Sequence, residues 1–270
     1  DWFRNTIQLP FFDYYLRDAG NLDSLREATI FFTGENRWRH FSAWPVETKK
    51  VDLYFSEKKT LAFTKPPRNG AFTKYVSDPT NPVPYDENIT QERTREYIVN
   101  DQRFAEKRKD VITFQTEVLD QDLTVAGAIA ADLQVAISTT DADFVVKVID
   151  VFPSDFRYAD RPQSDMGGYE MLVRGEIFRG RYRNSYERPE AFVTGKPTEV
   201  KFDLPDVAHT FRKGHRLMVQ VQSSWFPLAD MNPQQFINIY TCLPKDFVRS
   251  TVNLFHDAAF PSKIVLPVLK

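Results

Sequence analysis

The stretch Phe211-Arg-Lys-Gly-His-Arg-Leu-Met-Val-Gln-Val-Gln-Ser-Ser-Trp-Phe-Pro227 holds the pattern that decides the fold class. Its first half reads as a turn, because Gly214 can take the positive φ that side chains resist. In its second half Leu217, Val219 and Val221 alternate with Met218, Gln220 and Gln222. Residues two apart share a face of a strand, so this is a strand with one apolar face, expected to be half-buried. The block Met166-Gly-Gly-Tyr-Glu-Met-Leu-Val-Arg-Gly-Glu-Ile-Phe-Arg-Gly-Arg-Tyr-Arg183 has the same strand character.

Working outward, everything from about Ala28 reads as strand and turn. Candidate strands are 29–33, 51–56, 110–116, 123–139, 143–152, 169–182, 198–204, 217–223 and 263–268. Residues 65–70 form a turn cluster, and three prolines (Pro79, Pro82, Pro84) make 76–86 an extended loop. Residues 87–109 are strongly charged and form the longest irregular stretch. Short strands at this spacing, with no helical pattern between them, indicate two packed β-layers: a sandwich or a barrel. Gly127, inside the longest strand, marks a bulge or a strand that changes sheets. There is no internal repeat and no low-complexity tract.

The N-terminus differs. Trp2, Phe3, Ile7, Phe11, Tyr14 and Tyr15 fall near helical spacing over 2–17, Pro10 suits the first turn of a second helical piece, and Gly20 offers a stop. So short and aromatic a helix needs a partner: it should pack on the sandwich or expose an adhesive face. The chain starts at Asp1 rather than Met, which suggests a processed product or, the preferred reading, an excised piece of a longer polypeptide.

Composition narrows the function. Of 270 residues 42% are hydrophobic and 14% aromatic, led by 23 Phe, which suits the interior of a sandwich. A net charge of -2 gives no global pull toward nucleic acid or anionic lipid, and neither is expected as a partner. No run of about 18 apolar residues is present, so no membrane-spanning helix is expected. The single cysteine, Cys242, excludes an intrachain disulfide.

Chemistry is sparse. No serine lies in a G-x-S-x-G nucleophile elbow. Ser223 and Ser224 stand near His215 in sequence, with Asp206 and Asp230 close by, but strand-end hydroxyls commonly satisfy backbone groups, and that reading is preferred. The four histidines are scattered and no HExxH occurs. Asp141 and Asp143 are weak Ca²⁺ candidates, since they offer one pair of oxygen ligands where the ion takes at least six; an Asx turn is the preferred account. No cofactor is expected. Arg179, Arg181 and Arg183 share a face by the period-two rule and are expected to pair with carboxylates rather than bind an anion.

Together these blocks resemble the C-terminal domain of the cocaine esterase and X-Pro dipeptidyl-peptidase family of serine hydrolases. The nearest branches are the α-amino acid ester hydrolases and proteins labelled glutaryl-7-aminocephalosporanic acid acylases. The match covers nearly the whole chain. It is carried by Phe11-Phe12-Asp-Tyr-Tyr-Leu16, Thr33-Gly-Glu-Asn-Arg-Trp38, Arg93-Thr-Arg-Glu-Tyr-Ile-Val-Asn-Asp-Gln-Arg103, Val148-Ile-Asp-Val-Phe-Pro153, Arg179-Gly-Arg-Tyr-Arg183 and Lys213-Gly-His-Arg216, in order.

The resemblance implies an all-β jelly-roll sandwich, like galactose-binding modules, over 27–270. Residues 1–26 would then be the helical tail of an α/β-hydrolase domain that is otherwise missing. It places the Ser-Asp-His triad upstream of Asp1, so this chain alone should be inactive while the parent is a serine hydrolase of α-amino acid esters, short peptides or β-lactam acyl groups. The partners are the α/β-hydrolase and cap domains of the same polypeptide, with a homo-oligomer and a periplasmic or secreted location also implied. By alignment to Asp101-Gln-Arg103, the resemblance makes Tyr97 and Ile98 pocket-wall candidates. An alternative from another class is a free-standing carbohydrate-binding jelly roll, using Trp2, Trp38, Trp44 or Trp225.

Overall fold

A computed structural model describes residues 1–22, 25–88, 92 and 94–270. Arg93, which opens one of the motifs above, lies outside the described residues, as do 89–91 within the charged stretch. The strands are β1 (Ala28–Phe32), β2 (Arg37–Phe41), β3 (Thr48–Ser56), β4 (Thr60–Ala62), β5 (Phe72–Ser77), β6 (Ile112–Gln115), β7 (Leu123–Ile137) and β8 (Asp143–Val151). They continue as β9 (Arg157–Tyr158), β10 (Arg161–Asp165), β11 (Glu170–Arg179), β12 (Thr198–Phe211), β13 (Arg216–Gln222), β14 (Ser250–Phe255) and β15 (Lys263–Leu269). Helix α1 is Leu9–Arg17, preceded by a wider helical turn at Arg4–Gln8, and α2 is Arg103–Glu106.

Two layers result. One is the antiparallel sheet β11-β8-β13-β6. In the other, β7 is central, with β12 along one side and β15 and β14 sharing the other; β3 and β4 continue from β15, and β5 flanks β14. The layers meet in a single parallel bridge, Thr60 with Gln115, so the hydrogen-bonded path folds back on itself as a sandwich. Between them lie Leu53, Phe55, Phe114, Ile129, Leu133, Phe144, Val146, Val148, Leu217, Val219, Val221 and Leu266, all essentially buried. The apolar alternation read in β13 therefore faces this core.

Several local expectations change. The opposite face of β13 is not solvated, since Met218, Gln220 and Gln222 are fully buried; Tyr85, Trp225 and Leu228 cluster with Met218, and Gln220 Nε2 donates to Gln102 O. Gly127 marks a bulge: pairing with both β12 and β15 shifts around it, its φ is +113°, and all the partners of β7 stay in one sheet. Strand β12 runs on to Phe211 past Pro205, which sits where its register with β7 shifts. The strands β2, β4, β5, β9, β10 and β14 were not foreseen. Helix α1 ends at Arg17 on Asp18, which takes the left-handed cap expected of Gly20. The turn Gly180–Tyr182 breaks the period-two face assigned to the three arginines.

The N-terminal helix packs and protrudes at once. Trp2 stacks on Trp38 of β2 at 4.8 Å, and Phe31 of β1 meets the same ring. Nothing in α1 is buried, and Phe11, Phe12, Tyr14, Tyr15 and Leu16 are exposed.

Candidate functional site

The outer face of β11-β8-β13-β6 carries the segment 94–104, on which both pocket-wall candidates sit. Its start is pinned where Thr94 donates its backbone N–H to the Tyr85 hydroxyl (2.9 Å) and its own hydroxyl to Asp86 (2.5 Å). Its end is pinned through Gln102, whose backbone N–H donates to Glu170 O (3.1 Å) and whose side-chain amide donates to Asn100 O (2.8 Å). Between these, the Tyr169 hydroxyl donates to Val99 O. A short helical turn, Glu96–Val99, divides the side chains. Tyr97 turns inward, its ring 5.3 Å from Tyr85 and edge-on to Trp225 at 6.1 Å. Ile98 and Val99 point outward, 53% and 65% exposed. The structure thus separates the two candidates into an anchor and a surface residue, and adds Val99.

Beneath the segment lies a layer that the sequence reading missed. Lys147, mid-way along β8 and fully buried, donates from Nζ to Gln102 Oε1 at 2.9 Å. Its ammonium lies 5.2 Å from the Trp225 ring centroid and 5.7 Å from that of Phe104, within cation–π range. Across the sheet it is registered between Gln220 on β13 and Gly175 on β11. A Cβ on Gly175 would stand 2.7 Å from Trp225, so the absent side chain is what lets the indole lie over the lysine. Burial pushes the Lys147 amine down to about 7, with nearby Glu170 pulling the other way. Burial, reinforced by Glu106, pushes the Glu170 carboxyl well above the ordinary carboxylate range. A signal existed: Lys147 interrupts an otherwise apolar run, Phe144–Ile149.

The histidines cross the sandwich. On β8, Asp150 accepts from His209 Nε2 on β12 (3.2 Å) and His215 Nδ1 before β13 (2.9 Å), and His209 Nδ1 lies 2.8 Å from the Thr33 hydroxyl. Burial works against the Asp150 charge, yet the two imidazoles hold its carboxyl below the usual value. The order hydroxyl, imidazole, carboxylate resembles a hydrolytic relay, but its setting is structural. His209 is wholly buried edge-on to Phe211, Asp150 is shared with a second imidazole, and Thr33 also reaches Ala208 O at 3.2 Å. The relay ties the β1-β2 hairpin and β12 to the facing sheet. Beside it opens a hollow of about 440 Å³ lined by Asp150, His215, Phe152, Phe156 and Met171 among others. Ser223 and Ser224 are elsewhere: one pairs with the Tyr75 hydroxyl at 2.7 Å and the other accepts from Val83 N at 2.8 Å. Asp206 takes Trp44 Nε1, and Asp230 takes Arg179. The serines, His215 and the two aspartates do not converge.

Asp141 and Asp143 are both buried and face guanidinium groups. Arg181 Nε donates to Asp141 Oδ2 (2.7 Å), Arg179 makes two bonds to Asp143 (3.1 and 3.2 Å), and Asn232 bridges both carboxylates (2.9 and 2.8 Å). Burial raises Asp143 to about 6 against the opposing pull of Arg179 and Asn232. The remaining oxygen, Asp141 Oδ1, accepts from the next residue's N–H, Ala142 N (3.0 Å), rather than from the N–H two residues on that the expected Asx turn would use. Arginine donors occupy the positions a cation would need, and no group of three or more metal-ligating side chains occurs among the described residues. Arg183 reaches the backbone of Glu190 and Ala191 instead of sharing a surface with its neighbours.

These arrangements define an accessory β-sandwich: densely bonded, with an aromatic N-terminal helix and a braced surface loop. Comparison with known proteins agrees. Residues 8–264 match the X-Pro dipeptidyl-peptidase C-terminal non-catalytic domain, and the chain belongs to that family. It is 30% identical over 276 residues to the cocaine esterase of Rhodococcus sp. (strain MB1 Bresler), covering 98% of this chain and 46% of that protein. An aminopeptidase from the marine sediment archaeon Thaumarchaeota archaeon has a similar structure, with 41% identity and a TM-score of 0.92, over 100% of this chain and 44% of that one. An α-amino acid ester hydrolase is likewise similar, at 41% identity and a TM-score of 0.90, over 99% and 45%. The chain thus spans less than half the length of these relatives.

Proposed function

We propose that this chain is the non-catalytic partner of a serine hydrolase domain in one longer polypeptide, and that it borders the catalytic pocket with the segment 94–104. The catalytic portion acts on α-amino acid esters, short peptides or β-lactam acyl groups. The observation that carries this reading is helix α1, an amphipathic element with six exposed aromatic or leucine side chains and no buried residue. Exposed apolar surface of this kind marks an interaction site. An α/β-hydrolase domain preceding Asp1 and continuous with the helix is its natural cover, and residues 1–26 then belong structurally to that domain. A cap domain, self-association through remaining surfaces and a periplasmic or secreted location complete the reading by family likeness. A sugar-binding module is less well supported: Trp225 lies beneath Tyr97, Trp38 under Trp2, and Trp44 is bonded to Asp206.

The test is chemical. A serine-reactive fluorophosphonate and p-nitrophenyl esters applied to the 270-residue chain should give no saturable labelling and no turnover. The longer polypeptide should give both. Stoichiometric labelling of the short chain, at Thr33 or any serine, would end this reading.

A further inference from the structure

Lys147 is costly where it sits. Taking an ammonium wholly out of water costs several kcal/mol, and a well-packed hydrophobe in such a place is commonly neutral or stabilising. Among the described residues its amine meets one hydrogen-bond acceptor, Gln102 Oε1. Stability therefore does not account for it, and its contacts suggest another role. Gln102 is the hub of the segment's end: besides its bonds to Glu170 O and Asn100 O, its own carbonyl accepts from Ala105 N (3.0 Å) and Glu106 N (3.1 Å). Trp225, the other neighbour of the amine, is the surface on which Tyr97 rests. The residues immediately before Ile98 and shortly after Val99 are thus both set by one side chain.

We propose that Lys147 is a positioning residue, holding Gln102 and Trp225 so that Ile98 and Val99 project at a fixed place on the domain surface. The inference rests on the reading that segment 94–104 borders a catalytic pocket. The charged group acting on Lys147 is Glu170 from β11, which itself faces Glu106 of α2 and Asp101 and Arg103 of the segment. Gln220 from β13 and Gln102 are the neutral polar neighbours. Since burial brings the amine to about 7, its proton exchanges near neutral pH, and the ammonium grips the indole face more firmly than the free amine does.

The test compares K147M and I98A in the longer polypeptide, using a p-nitrophenyl ester. Both should raise KM, K147M by about tenfold (some 1.4 kcal/mol) with kcat within twofold. Trp225 fluorescence in the 270-residue chain, isolated by difference from W225F, should titrate with a midpoint near 7 and become flat in K147M, which a merely space-filling lysine would not do. An unchanged KM in K147M beside a raised KM in I98A overturns the positioning role and leaves the pocket border standing. If neither variant changes KM, the pocket border is wrong. The positioning role is then decided by hydrogen exchange: an approximately tenfold loss of protection at Ile98 and Gln102 amides in K147M supports it, and unchanged protection overturns it. Should K147M fail to fold, Q102L removes the Lys147–Gln102 link and is held to the same KM and hydrogen-exchange outcomes, while its Trp225 titration, which depends on Lys147 itself, should persist.

Discussion

The two faces of the sheet β11-β8-β13-β6 come from the same strands yet use different chemistry. The inner face presents Phe144, Val146, Val148, Leu217, Val219 and Val221, hydrocarbon packed on hydrocarbon. The outer face presents Val145, Lys147, Ile149, Met218, Gln220 and Gln222, equally buried but half of them polar. Several of these polar atoms, including Gln220 Oε1, Gln222 Oε1 and the neighbouring Trp225 Nε1, have no hydrogen-bond partner. Fully satisfied or wholly apolar layers fold most stably. A buried layer that is neither is where a protein gives up stability for placement, so the inner face holds the fold together and the outer face holds a loop in position.

The sharpest way to break this contrast is at the inner face. Phe144→Ala should cost about 3–5 kcal/mol of unfolding free energy in urea, from lost burial and the cavity left behind. A loss below about 1 kcal/mol would mean that the interlayer core is not what holds the chain. Next comes the polar crossing at one end of that core. Asp150→Ala leaves two buried imidazole donors without their acceptor and should cost about 3 kcal/mol at neutral pH. The folded state holds the Asp150 carboxyl below its free value, so its contribution is present above the free value of about 3.9 and is lost as acid protonates it. An acid titration of wild type and variant should therefore converge below pH 4; parallel curves would deny the charge any part in stability.

At the outer face the sign reverses. Lys147→Met should leave stability unchanged or raise it by about 1–2 kcal/mol at pH 7. Between about 7 and the free lysine value near 10.4 the native chain binds fewer protons than the unfolded chain, so Lys147 makes stability rise with pH across that window. K147M should lack that rise, and a variant slope equal to that of wild type would contradict the assignment. The smallest effect belongs to the helix. Deleting residues 1–17 should cost about 1 kcal/mol, chiefly the Trp2–Trp38 stack, while improving solubility. Collapse of the sandwich on deletion would make the helix part of its core.

Legibility in the sequence followed the same division. The inner face was readable because β13 alternates with a strand's period, while β8 and β15 carry short apolar runs of strand length. Edge and connecting strands such as β5 and β14 did not stand out, since their pairing depends on neighbours far along the chain; β14 joins Thr251 to Val76. In the outer layer Tyr97 and Ile98 came to notice only by likeness to relatives. Lys147 and Gln102 lie 45 residues apart, and their contact is set by the register of three strands rather than by any local pattern. The Asp141–Arg181 and Asp150–His209 pairs were equally hidden, because a carboxylate in a strand reads the same whether a guanidinium, an imidazole or water awaits it.

The most direct test of the account is hydrogen exchange measured on the 270-residue chain alone and on a polypeptide in which an α/β-hydrolase domain precedes it. Protection should rise in two separate places, residues 2–16 and residues 95–102, while β7, β8 and β13 stay as they are. No gain in either segment would contradict the claim that the aromatic helix and the Lys147-braced loop are the surfaces this domain offers to a catalytic partner.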